Sequence, residues 1–154
     1  MPVHLAPLTP ATLAAARALL AAEGWRHGYA ERPLELLEAV AEGSAEYRVD
    51  VATDGDRVLG VVVSGLVAGA SGAGALYGVG VDAAARRRGV GRRLVALARE
   101  RLRAEGARAT FAEVPDDTGA VGDVLGLLAA MGFREEGRVA DFYRDAVALL
   151  ILRG

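Results

Sequence analysis

Arg86-Arg87-Arg88-Gly89-Val90-Gly91-Arg92-Arg93 sets two glycines between clusters of guanidinium groups. Glycine lets the backbone take the turns that aim successive N–H groups into one concavity, and arginine adds mobile, forked positive charge around it. The chemistry this suits is the holding of phosphate oxygens. Ahead of the turn, an apolar run at residues 75–81 ends at Asp82. Behind it, Val90, Leu94, Leu97, Ala98 and Leu102 recur at helical spacing until Gly106. A strand, a glycine turn and a helix N-terminus together offer unpaired donors and the positive end of a helix dipole. No Gly-Lys-Ser/Thr follows, so the turn is not a Walker-type loop. Leu94 stands where a dinucleotide-binding fingerprint would place its third small residue.

Composition excludes several other chemistries. The chain has 154 residues, a formal charge of −2 and no Cys. It is long enough for one sizeable core, and we expect a single domain over residues 1–154. Without Cys there is no disulfide, thiolate nucleophile or zinc–thiolate site. His4 and His27 have no metal-ligand spacing, so no metal is expected. All 18 basic residues are Arg. The lack of Lys, Asn and Gln suits a heat-tolerant source, and equally a GC-rich genome. The slight acidic balance argues against a nucleic-acid partner. With no signal-like start and no long uncharged apolar run, neither export nor a membrane partner is expected, and the expected location is cytoplasmic.

The elements that must position the turn follow from periodicity. Residues 3–8 read as a strand. Thr9-Pro10 then starts a helix bearing Leu13, Ala16, Leu19 and Leu20, which runs to about residue 23. A break with Trp25, His27 and Tyr29 precedes a second helix opened by Pro33. Tyr47, Val49 and Val51 alternate with charged residues, Asp54-Gly55-Asp56 is a hairpin turn, and residues 58–67 read as a central strand. After the helix at about 89–105 come a strand at 110–114, a short helix containing Val121 and Leu128, and strands at 134–140 and 146–152.

Val79-Gly80-Val81-Asp82, followed by Arg86-x-x-Gly89-x-Gly91 and a long amphipathic helix, resembles the acetyl-CoA pyrophosphate loop of the GNAT superfamily of N-acetyltransferases. The likeness is clear from about residue 46 onward and rests on element order before that. It implies an α/β (α+β) GNAT fold: a central mixed, mostly antiparallel sheet of six to seven strands with about four helices. It also implies transfer of an acetyl group from acetyl-CoA to a primary amine by direct attack. Under the resemblance, the backbone of Val79, Gly80 and Val81 holds the pantetheine arm, and Arg86, Arg87, Arg88, Gly89, Val90, Gly91 and Arg92 hold the pyrophosphate. The arm enters a gap between the strands at 75–81 and 107–114. Gly78 and Gly80 suit a bulge at Val79, and a backbone N–H near Val79–Val81 would face the thioester oxygen.

An amine with a pKa of about 10.4 must lose a proton, and a partly buried carboxylate is the usual base. Glu113, in Ala-Glu-Val, resembles the base of ribosomal-protein alanine N-acetyltransferases. Asp116 and Asp117 read as turn or N-cap residues, and Asp82 as a cap of the phosphate loop. The family's Asn and Tyr on the short helix are replaced by Val121 and Leu128. A thiolate, with a reference thiol pKa of about 8.5, can leave unaided; alternatively Tyr143 supplies the hydroxyl. Trp25, His27, Tyr29 and Tyr77 are candidates for the acceptor wall. The acceptor is a small-molecule or peptide amine, and the apolar last strand is compatible with a homodimer. The alternative to an enzyme is a catalytically silent acyl-CoA-binding sensor or scaffold. A nucleic-acid patch at the arginines is a third reading, opposed by net charge and by the absence of interleaved aromatics.

Overall fold

A computed structural model of the chain describes residues 2–24 and 28–154. The element order is β1 (His4–Pro7), α1 (Pro10–Gly24), α2 (Glu31–Ala41), β2 (Tyr47–Asp54), β3 (Arg57–Leu66), β4 (Ala73–Val81), α3 (Val90–Ala104), β5 (Ala109–Pro115), α4 (Thr118–Ala130), β6 (Arg134–Arg144) and β7 (Val147–Arg153). The strands form one sheet in the order β1-β2-β3-β4-β5-β7-β6. Every neighbouring pair is antiparallel except β4–β5. The expected mixed, mostly antiparallel sheet is therefore present with seven strands, flanked by four α-helices among the described residues. None of these helices is long and apolar enough to cross a membrane.

β3 shows why a continuous apolar run belongs at the centre. Val61 and Val63 pack toward Ala16, Leu20, Leu37, Val49 and Val51 on the α1/α2 side. Val62, one residue out of phase, packs with Leu76, Val79, Leu94, Val95 and Ala98 on the α3 side. Val61, Val62 and Val63 are all fully buried, because helices cover both faces of the sheet. β7 is apolar for the same reason. It lies between β5 and β6, so its composition reflects an interior strand and gives no ground for expecting a dimer. The exposed edge is β6.

Two irregularities shape the region beside the Gly-rich turn. β4 and β5 pair from Ala73↔Ala109 to Leu76↔Ala112 and no further, although the strands continue to Val81 and Pro115. Beyond Leu76 they splay. The β3–β4 register passes from Val63↔Gly78 to Ser64↔Leu76, which makes Tyr77 the extra residue of a bulge. The bulge expected at Val79 thus lies two residues earlier. Gly78 and Gly80 serve close packing instead. A Cβ on Gly78 would stand 2.8 Å from Pro33 Cβ, and one on Gly80 2.9 Å from the Leu19 carbonyl oxygen.

β6 also departs from its expected extent. It continues past residue 140 to Arg144, with its ladder interrupted between Val139↔Leu149 and Arg144↔Val147. Asp141 takes a left-handed φ of 53° in the interruption, and its carboxylate accepts the Ala146 N–H at 2.7 Å. Tyr143 sits on this bulged stretch. An interruption of this kind re-aims side chains, and Tyr143 reaches Tyr29 in an edge contact with centroids 5.3 Å apart.

Candidate active site

The Gly-rich turn wraps a cavity of about 420 Å³. Asp82 caps the 3-10 turn Ala83–Ala85 by accepting the Ala84 N–H at 3.2 Å, and its other oxygen accepts from Arg57 at 2.6 Å. The Arg57 bond, with the Ala84 N–H second, holds the Asp82 pKa below the usual carboxylate value. Arg87 and Gly89 take left-handed φ values of 68° and 73°, which bend the chain into the concavity. Arg93 N–H bonds back to the Gly89 carbonyl at 3.1 Å. The N–H groups of Val90, Gly91 and Arg92 lie ahead of that first bond and belong to the unpaired donors of the α3 N-terminus. A Cβ on Gly91 would approach Leu127 Cδ2 at 3.0 Å, so α4 packs close against this glycine.

Of the residues assigned to CoA, Val79, Val81, Arg86, Arg87, Gly89, Val90, Gly91 and Arg92 line this cavity. Gly80 and Arg88 turn elsewhere: Gly80 backs onto α1, and Arg88 lies 3.6 Å from Asp54. Sequence reading missed Asp123, which lines the cavity and pairs with Arg86. The donor set and shape fit a pyrophosphate with an attached arm: backbone N–H groups at a helix start, guanidinium groups at the rim, and an apolar floor of Val79, Val81 and Leu127.

A smaller cavity of about 90 Å³ fills the splay between β4 and β5, and one of about 360 Å³ opens beyond it. Val79 lines both the 420 Å³ cradle and the splay. Tyr29, Tyr77 and Glu113 line both the splay and the outer cavity. The cradle, the splay and the outer chamber thus share walls in series, with Glu113 in the wall common to the last two. Glu113 is exposed rather than partly buried as expected. Val121 and Leu128, at the family's polar positions, are buried apolar walls of the splay.

The outer cavity is ordered by a polar network. Tyr29 Oη donates to Asp117 at 2.9 Å, and Arg144 reaches the same carboxylate oxygen at 2.7 Å. Asp117 is the N-cap residue of α4, as expected, but its side chain makes no capping bond and is engaged by Tyr29 and Arg144 instead. Asp116 likewise binds Arg138, at 2.7 Å. Burial, helped by the charge of Glu113 and by Tyr29, pushes the Tyr143 phenol up to about 12. Burial is also the main cause of the raised pKa values of Tyr29 and Tyr77. Trp25 and His27 lie outside the described residues. Arg32 and Phe111, which the sequence did not single out, line the cavity; the folding of α2 over the sheet brings Arg32 there, and β5 contributes Phe111.

This geometry agrees with what the chain resembles. The family model for the acetyltransferase (GNAT) family matches residues 18–133. The chain belongs to that family and is by class an acyl-CoA-dependent N-acyltransferase. No curated protein matches it by sequence. Among solved structures it is similar to an acetyltransferase of the GNAT family from Desulfovibrio desulfuricans, at 25% identity and TM-score 0.87, covering 99% of this chain and 98% of that one. A GCN5-related N-acetyltransferase from Kribbella flavida shows 25% identity and TM-score 0.74, covering 99% and 96%. An aminoglycoside 6'-N-acetyltransferase complexed with coenzyme A shares the fold at 15% identity and TM-score 0.82, covering 98% and 96%.

Proposed function

We propose that the protein transfers an acetyl group from acetyl-CoA to a primary amine, with Glu113 as the general base. The observation that carries this reading is the sharing of walls. Val79 joins the cradle to the splay, and Glu113 and Tyr77 join the splay to the outer chamber. An acyl donor and an amine can therefore meet beside a carboxylate.

The backbone from Arg87 to Arg92, with the Arg86, Arg87 and Arg92 side chains, holds the pyrophosphate. The Arg88 side chain, 3.6 Å from Asp54, and the α-carbon of Gly80, packed against α1, shape the loop from outside the cavity. The open edge of β4 beyond Leu76 holds the arm, and an N–H near Val79–Val81 faces the carbonyl oxygen as it gains charge. Acetyl-CoA supplies the acyl group: the amide C–N bond forms as the C–S bond breaks, and CoA leaves as its thiolate. Glu113 takes the amine proton, directly or through one water, because a carboxylate on the exposed lip of the splay reaches solvent as well as substrate. Tyr143 acts by hydrogen bonding. With its pKa pushed up to about 12, well above the thiol's reference of about 8.5, it donates a hydrogen bond to the departing sulfur without surrendering its proton.

Release of free thiol from acetyl-CoA in the presence of a panel of amines tests the reading. Glu113→Gln is expected to lower kcat by about 10²–10³-fold, in the range for losing a general base, while KM for acetyl-CoA stays unchanged. A loss of only a few-fold would remove Glu113 from that role. The second reading, a silent acyl-CoA-binding sensor, draws on the apolar Val121 and Leu128 in the splay. Tight CoA binding without turnover of any amine would favour it.

A further inference from the structure

We propose that the acceptor is a free amino acid with an aromatic or branched apolar side chain, its amine at Glu113 and its carboxylate at Arg32. This rests on the acyltransferase reading above and names the acceptor for the same site. The outer cavity, about 360 Å³, falls in the range of small-molecule sites, roughly 300–1,000 Å³. Its walls carry the rings of Tyr29, Tyr77, Phe111 and Tyr143, and among the described residues its charged lining residues are Arg32 and Glu113. The chamber is thus aromatic, with polar and apolar surface in about equal share and, among the described residues, one group of each sign.

That pairing matches a zwitterion and mismatches the other amine classes. A polyamine or aminoglycoside carries several cationic groups and needs several carboxylates. The nearby Asp117 is bound to Tyr29 and Arg144, and Asp116 to Arg138. A peptide N-terminus presents an amide where Arg32 offers a carboxylate partner. The rings are held for recognition: Tyr29 is fixed by Asp117 and packs edge-on against Tyr143, and Tyr77 packs edge-on against Tyr47 at 5.8 Å.

Arg32 can accept such a ligand at little cost. Its partner Glu35 stands 3.4 Å away in a solvent-exposed pair one helical turn along α2, a weak, readily exchanged type of contact. Bidentate binding to a ligand carboxylate, with two parallel N–H···O bonds, is stronger than this single contact. Both charges reach the same ring: the raised pKa of Tyr77, due first to burial, is drawn down by Arg32 and pushed up by Glu113.

The test uses the full chain with acetyl-CoA and compares phenylalanine and leucine with their decarboxylated amines, with phenylalaninamide and with spermidine. The free amino acids are expected to show kcat/KM at least about tenfold higher, the scale of one charge-assisted contact. Arg32→Gln should abolish that preference, with the loss falling on KM for the amino acid and not on KM for acetyl-CoA. Equal or better use of the decarboxylated amines, the amide or spermidine overturns this inference while leaving acyl transfer intact. If no amine is turned over, acyl transfer fails. Calorimetry of phenylalanine with the CoA-loaded protein then decides the site: binding weakened by Arg32→Gln sustains it, and absence of binding overturns it.

Discussion

Glu113 and Tyr143 reach the outer chamber from strands that are not neighbours, β5 and β6, and their surroundings differ. Glu113 lies open at the joint of the cavities, where it can pass a proton onward to solvent. Tyr143 is half-buried beside Glu113 and Tyr29, and its phenol rises to about 12. Because that folded value exceeds the ordinary value of about 10, its contribution to stability is complete below about pH 10 and is lost as the pH climbs toward 12. Tyr143→Phe should therefore lose less stability than the wild type in alkaline melts. Its kcat should fall by about tenfold, as for one hydrogen bond to a charged group. A fall as large as that of Glu113→Gln would mean that Tyr143 moves the proton itself. Glu113 was legible in the sequence through its Ala-Glu-Val setting. The engagement of Asp117 with Tyr29 and Arg144 was not, since these partners are 88 and 27 residues away.

Among the elements, β4 does the most to create the site, and its glycines explain how. On one side its pairing with β5 ends at Leu76, which opens the splay. On its α1/α2 face, Gly78 and Gly80 allow Pro33 and Leu19 to approach the strand, which brings α2 and Arg32 over the chamber. Gly80→Ala would put a methyl group 2.9 Å from the Leu19 carbonyl. Backbone there cannot yield as a flexible side chain can, so α1 must shift. Denaturant melts should show a loss of about 2 kcal/mol, in the range for overpacking. A variant as stable as the wild type would show that α1 is not seated against this strand. Element order was readable because each segment carries its own period of 2 or 3.6. The bulge at Tyr77 and the interruption in β6 were not, because they depend on register against β3 and β7.

Across the whole molecule, the sheet carries one buried ionic contact remote from the chamber. Asp50 on β2 is fully buried and lies 3.4 Å from Arg101 on α3, with neither carboxylate oxygen hydrogen-bonded within the protein. Burial pushes its pKa up, and Arg101 and Arg48 only partly offset this. The folded pKa thus lies above the unfolded value of about 3.9. The contribution of Asp50 is complete below that pH and is lost as the pH rises through the raised value. Arg101→Met, which strands the carboxylate, should cost about 3 kcal/mol at neutral pH. That cost should shrink on acidification, as Asp50 takes up a proton in place of its lost partner. Urea melts of the two proteins across the acidic range measure this, and a cost that does not vary with pH would show that Asp50 remains solvated.

The form of the turn within residues 79–94 was readable because the signal is local: glycines that permit left-handed backbone, arginines beside them, and a helix start supplying donors. The order of the elements and the central place of β3 were likewise carried by nearest-neighbour periodicity. What surrounds the reacting atoms was decided in three dimensions. Which strands part, which residue bulges, and which of the charged side chains pair with one another all follow from contacts between distant segments. Arg32 and Phe111 carry no motif, and the chamber they line with Glu113 exists only because α2 closes over the sheet beside the splayed ends of β4 and β5.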